Sequence, residues 1–261
     1  MDNQIFGYPS FDADGVKVLT RMGPEGPCSN MLQDITVYRM CPGESRSFSF
    51  PEKEVALLLI RGSVTYEWEG QERAVCRQDF FKEGAYCLHV CRGTSVTVRA
   101  AEETELLVQS TTNPRTFESV FYTPENSTEA TFGQGQFEGK AQRTVRTFFD
   151  YSNAPYSNLV MGEILIPQGG WSSYPPHQHP QPEVYYYRFE KPQGFGACFI
   201  GEDVCTIRDG SFAAIPGGKC HPQVNAPGYP MYYVWMIRHF DNAPWKDRIF
   251  DPAHTWLLDE A

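Results

Sequence analysis

The sequence predicts an all-β protein built as two β-barrels in one chain. Three observations predict it. β-branched and aromatic runs recur about every eight to twelve residues with turn residues between them, the rhythm of a barrel or sandwich. No stretch sustains a helical period. A stretch rich in Thr, Asn, Pro, Gly and Gln, residues 113–142, separates two such halves.

The elements follow in order. Residues 1–112 form the first half. Residues 1–30 are mixed, with turn chemistry at Asp14-Gly15 and across Gly23-Pro24-Glu25-Gly26-Pro27. Ile35 to Met40 reads as a strand, and Pro42-Gly43-Glu44 turns into the alternation Ser45 to Phe50. Val55 to Ile60 is a continuous apolar strand ended by Arg61-Gly62. Val64 to Trp68 follows and stops at Glu69-Gly70. Phe80-Phe81, Tyr86 to Val90, Ser95 to Ala100 and Glu105 to Gln109 complete this half. Its histidine, His89, reads as a core or cavity residue rather than a ligand. Residues 113–142 read as a connection, and residues 143–261 as the second half. Strands are expected there at Thr144 to Phe149, Asn158 to Pro167, Glu183 to Phe189, Phe195 to Ile200, Val204 to Arg208, Phe212 to Ile215 and Met231 to Ile237. Asp251 to Leu258 reads as a short turn or helix over one end.

Composition bounds the function. The chain has 261 residues, 41% hydrophobic and 14% aromatic, enough for a sizeable core. A formal net charge of -10 argues against a nucleic-acid partner, whose phosphates would be repelled. A small anionic substrate needs only a local cationic pocket. The longest plain apolar run, Val55 to Ile60, is too short to span a bilayer, so no membrane partner is expected. The polar start Met1-Asp2-Asn3-Gln4 shows no secretory pattern, which points to the cytoplasm. The eight cysteines then read as reduced, mostly buried thiols, with Cys220 turned away from its neighbour His221. Aromatic strands leave a homo-oligomer open.

Chemistry concentrates between Gly169 and Asn225. His177 and His179 are two apart, so an extended segment sets both imidazoles on one face. Glu183 opens a β-branched and aromatic run. His221 follows the turn Pro216-Gly217-Gly218, from which a neighbouring strand could return it to the same place. Three imidazoles and a carboxylate suit a divalent metal, with Zn, Mn or Fe as candidates. Such a set leaves a coordination position for water or substrate.

As spacings, the two segments read H-x-H-x3-E and G-x5-P-x-G-x2-H-x3-N. These are the two motifs of the cupin superfamily, which the chain resembles there. The resemblance implies a bicupin: a degenerate N-terminal cupin barrel and a C-terminal one whose metal is held by His177, His179, Glu183 and His221.

A narrower resemblance covers the chain densely from about Arg146 onward. It is carried by Trp171 to His179, Glu183 to Phe189, Pro192-Gln193-Gly194-Phe195-Gly196, His221-Pro222, Ala226-Pro227-Gly228-Tyr229, Tyr232-Tyr233-Val234-Trp235 and Asp251 to Trp256. These runs resemble the 5-deoxyglucuronate isomerase family of myo-inositol catabolism. Gln178, Pro180 and Cys220 depart from that family's usual residues. The resemblance implies a metal-dependent aldose–ketose isomerisation of 5-deoxy-D-glucuronate to 2-deoxy-5-keto-D-gluconate. A related uronate as substrate, a cupin Fe(II) dioxygenase and a non-catalytic sugar-acid binding protein are the alternatives.

Strand alternation places Tyr185 and Tyr187 on the face of Glu183, which makes them the catalytic candidates for proton relay. Lys219, Arg238 and Arg188 are the candidates for pairing with a substrate carboxylate. Parity sets Arg188 on the outward face with Tyr186.

Overall fold

A computed structural model describes residues 4–259; Met1–Asn3 of the polar start and residues 260–261 lie outside the described residues. The chain is mostly β, and its short helical pieces are of the 3-10 type. Two large sheets carry it. One belongs to the first half and runs in the order Val120–Tyr122, Tyr86–Val90, Lys53–Trp68, Thr104–Thr112, Asp34–Met40, Val16–Thr20. The other is seven-stranded. Its order is Phe6–Gly7, Phe212–Ile215, Glu183–Phe189, Met231–Arg238, Leu159–Ile166, Arg143–Phe149, Thr128–Phe132. A smaller sheet of Trp171–Ser172, Gln223–Asn225, Phe195–Ile200 and Asp203–Arg208 packs against it.

Period-two alternation explains the packing. On Glu183–Phe189, Tyr185, Tyr187 and Phe189 join Cys198, Ile200 and Ile207 of the smaller sheet in one core. Val184 and Tyr186 point the other way, into a core shared with Ala56, Leu58 and Ile60 of the first half. Met231–Arg238 divides in the same manner, with Tyr233, Trp235 and Ile237 on one side and Tyr232, Val234 and Met236 on the other. In the first half, Val55, Leu57 and Leu59 enter a third core. Strands buried on both faces read as continuous apolar runs, as these do.

Some elements differ from the sequence expectation. Lys53–Trp68 is one strand, where a break at Arg61-Gly62 was expected. The register shifts between Leu59 and Arg61, and Gly62 passes at φ 121° with its α-carbon against Thr104, so the strand bends without ending. Gln71–Arg77 is an additional strand, inconspicuous in sequence because most of its residues are exposed and polar. Phe80-Phe81 lies in a turn, and Phe80 packs on Tyr232 at 4.7 Å. Residues 113–142 hold Val120–Tyr122, paired to the first half, and Thr128–Phe132, paired to the second. Phe6–Gly7 crosses over to pair with Phe212 and Ala213. The thiols are less buried than expected: Cys28, Cys87 and Cys198 are buried and the other five are not.

Three buried acids tie the halves together. Glu163 binds Arg77 at 2.7 Å, Arg146 at 2.9 Å and the Tyr232 hydroxyl at 2.8 Å. Glu105 binds Tyr186 at 2.8 Å and also Arg188. Glu54 accepts from Asn113, Ser157 and the Asn158 backbone, and faces His89 at 3.0 Å. His89 is fully buried and stacks on Phe149 at 4.1 Å, as a core histidine should. Buried charges persist only when paired in this way. No helix among the described residues is long and apolar enough to cross a membrane.

Candidate metal centre

Each candidate ligand is set by a local backbone feature. His177–Gln178 is a two-residue strand paired with Ile249–Phe250. The chain then turns through Pro180 and Pro182 and enters the strand at Glu183. Gly217 comes so close to the Pro180 carbonyl that a Cβ there would lie 1.7 Å from its oxygen. This contact locks the turn before His221 onto the turn after His179. Phe212–Ile215 pairs with Glu183–Tyr186, with Ile215 opposite Glu183, so the chain leaving that strand delivers His221 beside the carboxylate.

His179, Glu183 and His221 are all buried, and their ligand atoms lie within 4.8 Å of one another. Glu183 Oε2 is 3.0 Å from His179 Nε2 and 3.2 Å from His221 Nε2. His177 adjoins this trio, its ring centroid 5.3 Å from that of His221, but its nitrogens fall outside the cluster.

The three histidines share one device. Nδ1 of His177 contacts the Pro175 carbonyl at 2.9 Å, that of His179 the Gln181 carbonyl at 2.9 Å, and that of His221 the Lys219 carbonyl at 2.8 Å. A carbonyl only accepts, so each Nδ1 carries a proton, and Nε2 is the nitrogen left to ligate a metal. At His179 and His221 that nitrogen meets a carboxylate oxygen. His221 Nε2 is buried and makes no hydrogen bond of acceptable geometry despite its 3.2 Å separation. A cation resolves this contact between acceptors. First-row metal bonds of about 2.1 Å at right angles put neighbouring ligand atoms roughly 3.0 Å apart. The residues present therefore fit a divalent metal.

Electrostatics agree. Without a metal, protons on His179 and His221 take the cation's place: burial opposes the charge on Glu183, but their hydrogen bonds and charge outweigh it and hold the carboxyl at about 2. Burial, aided by His221, pushes His177 down to about 3. Both groups are ready to act as ligands near neutral pH.

His177, His179 and Glu183 line a cavity of about 250 Å³, with His221 buried behind them. Tyr185 lines it, with its hydroxyl 3.3 Å from Ser173 Oγ. Burial raises the Tyr185 pKa well above its ordinary value, so the phenol stays protonated. Tyr187 is not among the lining residues; it packs between Phe6, Tyr185 and Tyr233 and faces the Cys198 thiol.

The three cations singled out in the sequence lie elsewhere. Arg188 binds Glu105 and Asp209, because the face expected to point outward is covered by the first half. Arg238 pairs with Asp241. Lys219 has an exposed side chain beside Gly201, and its carbonyl, not its amine, serves the site. Cys220 turns its thiol to Asp251 at 3.8 Å.

The cations in the cavity are Arg143 and Arg248. Arg143 is 8% exposed and anchored through Nη1 on the Ala141 carbonyl at 2.8 Å. Alternation could have found it. Arg143, Val145 and Thr147 share one face of their strand and line the cavity, while Arg146 on the other face binds Glu163. Arg248, Ser173 and Trp245 also line the cavity, and no spacing in the sequence points to them.

Residues 8–257 match the KduI/IolB family. The chain belongs to this family. A KduI/IolB relative named 5-deoxy-glucuronate isomerase, from Geobacillus thermodenitrificans, is 26% identical over 241 residues, covering 85% of each chain. A protein of the same name from Bacillus subtilis strain 168 is 23% identical over 245 residues, covering 87% of this chain and 88% of its own. Among solved structures, an IolB-like protein from Salmonella typhimurium LT2 superposes with a TM-score of 0.86 at 20% identity, covering 98% of this chain and 99% of its own. Oxalate decarboxylase from Lactobacillus farciminis gives a TM-score of 0.69 at 12% identity, covering 100% of this chain and 92% of its own. The fold is cupin-like, as the motifs imply.

Proposed function

We propose that this protein is a metal-dependent aldose–ketose isomerase that converts 5-deoxy-D-glucuronate to 2-deoxy-5-keto-D-gluconate in the cytoplasm. One observation carries the reading: His179 and Glu183 of the buried His179–Glu183–His221 trio, together with His177, line a cavity that also holds two arginines. The names of the family relatives support the same reaction. His179, Glu183 and His221, with His177 beside them, would hold a Zn, Mn or Fe ion. That ion supplies a Lewis acid for the substrate's carbonyl and hydroxyl oxygens.

The chain's own residues do the rest. Arg143 and Arg248 are placed to receive the sugar-acid carboxylate, taking the role first considered for Lys219, Arg238 and Arg188. The isomerisation moves a proton from the carbon next to the aldehyde to the former aldehyde carbon. Tyr185, held protonated and tethered to Ser173, is suited to donate a hydrogen bond or a proton to a substrate oxygen. Tyr187 has a packing role. The walls formed by Ile164, Trp235 and Ile237 limit water around the reacting carbons. On this reading the halves near 1–112 and 143–261 are two cupin-type barrels. The first offers one histidine, His89, held against Glu54 with no second imidazole from its own residues beside it, so it is read as the degenerate barrel.

Proton NMR of 5-deoxyglucuronate in deuterated water tests the proposal, with protein loaded separately with Zn, Mn or Fe(II) under anaerobic conditions. Conversion to the ketose with deuterium at the new methylene is expected. No conversion with any of the three metals, by folded protein that retains metal, would overturn it.

A further inference from the structure

A second pocket of about 180 Å³ lies beside the segment that follows Met231–Arg238. Arg115, Tyr151, Asn158, His239, Asp241 and Asn242 are among its lining residues. His239 is 1% exposed. Its Nδ1 accepts the Trp245 backbone N–H at 2.9 Å. Burial holds the ring neutral, at about 4, so its single proton sits on Nε2. This is the reverse of the three histidines at the metal centre. His239 Nε2–H is a donor, and it is buried without a hydrogen-bond partner among the described residues.

The pocket's cation is Arg115. Its Nη1 is anchored on the Pro155 and Tyr156 carbonyls at 3.3 and 3.1 Å, which fixes the guanidinium at the wall. The Asp241 carboxylate in the same lining is engaged by Nη1 and Nη2 of Arg238 at 3.3 and 3.2 Å.

We propose that this pocket binds a small oxyanion, a carboxylate or a phosphate, between His239 Nε2–H and the Arg115 guanidinium. The site is separate from the metal centre but joined to it. Trp245, whose N–H sets the His239 tautomer, lines the main cavity and places its ring 6.1 Å from that of His179. Gln181 accepts from His179 Nδ1–H and donates through Nε2 to the Ala243 carbonyl at 2.7 Å. An anion on His239 therefore bears on the loop that orients a metal ligand. The proposal does not depend on the isomerase reading.

Calorimetric titration of the metal-loaded full chain, at low ionic strength, tests it with inorganic phosphate and with D-gluconate in separate runs. The expected result is a binding event that persists in Arg143→Ala, apart from any gluconate binding in the main cavity. Arg115→Ala and His239→Phe should each weaken that event by roughly tenfold or more, as expected for loss of a charge-assisted or buried hydrogen bond. Binding of phosphate alone assigns a phosphate-bearing ligand, and binding of gluconate alone a sugar acid. Neither anion binding, or binding that Arg115→Ala leaves intact, would overturn the proposal. Arg115 is exposed, so that variant carries the test even where His239→Phe fails to fold.

Discussion

At the scale of single residues, the tautomers decide the chemistry. A backbone carbonyl at Nδ1 leaves Nε2 of His179 and His221 as the ligating nitrogen for a metal, while a backbone N–H at Nδ1 leaves His239 Nε2 as a donor. Glu183 is the hub, since both ligand histidines converge on one of its oxygens. Glu183→Gln keeps the shape but removes the charge. It should lose most bound metal by elemental analysis and cut turnover by about 100-fold or more, in line with losing an anionic ligand. Arg143→Ala should act differently. If Arg143 receives the substrate carboxylate as proposed, removing this buried cation should raise KM by about tenfold or more, with a smaller change in kcat and unchanged metal content. Steady-state kinetics separates the two, and an unaltered KM would remove Arg143 from substrate binding.

At the scale of elements, two contacts hold the site in place. The first is the Gly217–Pro180 approach between the turns that carry His221 and His179. In Gly217→Ala the new methyl meets a backbone oxygen that has no rotamer to yield. A cost of about 1–3 kcal/mol is expected in urea unfolding, together with weaker metal retention. The second is the Glu163 cluster, where a single acid from the second half faces Arg77 and Arg146. Arg77 and Glu163 are both fully buried. Glu163→Gln leaves a buried guanidinium uncompensated, so a loss of about 3–5 kcal/mol is expected. A change below about 1 kcal/mol would show that the cluster is not what joins the halves.

At the scale of the molecule, stability should depend on pH in a stated direction. Burial holds His177 and His239 at about 3 and about 4, whereas unfolded histidines titrate near 6.5. As pH falls from 6.5 towards 4, the unfolded chain takes up protons that the folded chain refuses. Stability therefore rises with pH across that window and is lost as pH drops through it. Glu183, held at about 2, adds to the loss below its ordinary carboxylate range. The unfolding free energy of metal-free protein from urea titration should fall between pH 7 and pH 4.5 by an amount on the order of a few kcal/mol. A flat profile would contradict the buried neutral rings.

The sequence by itself determined many of the strands and the residue types gathered at the candidate site. Glu183–Phe189, Phe195–Ile200 and Phe212–Ile215 fall where apolar and aromatic runs stand, because such runs are local; Phe212–Ile215 is apolar throughout because it is buried on both faces. The H-x-H-x3-E spacing brought attention to residues of which the structure gathers His179 and Glu183 with His221. Tertiary structure alone decided which cation faces which cavity. Arg188 meets Glu105 across 83 positions of chain, and Phe6–Gly7 pairs with a strand more than 200 positions away. Charged side chains take partners from whatever sheet is packed against them, so their roles do not follow from neighbours in sequence. Period-two alternation still set the face. Arg143 shares its face with Val145 and Thr147, and the folded sheet made that face the wall of the cavity.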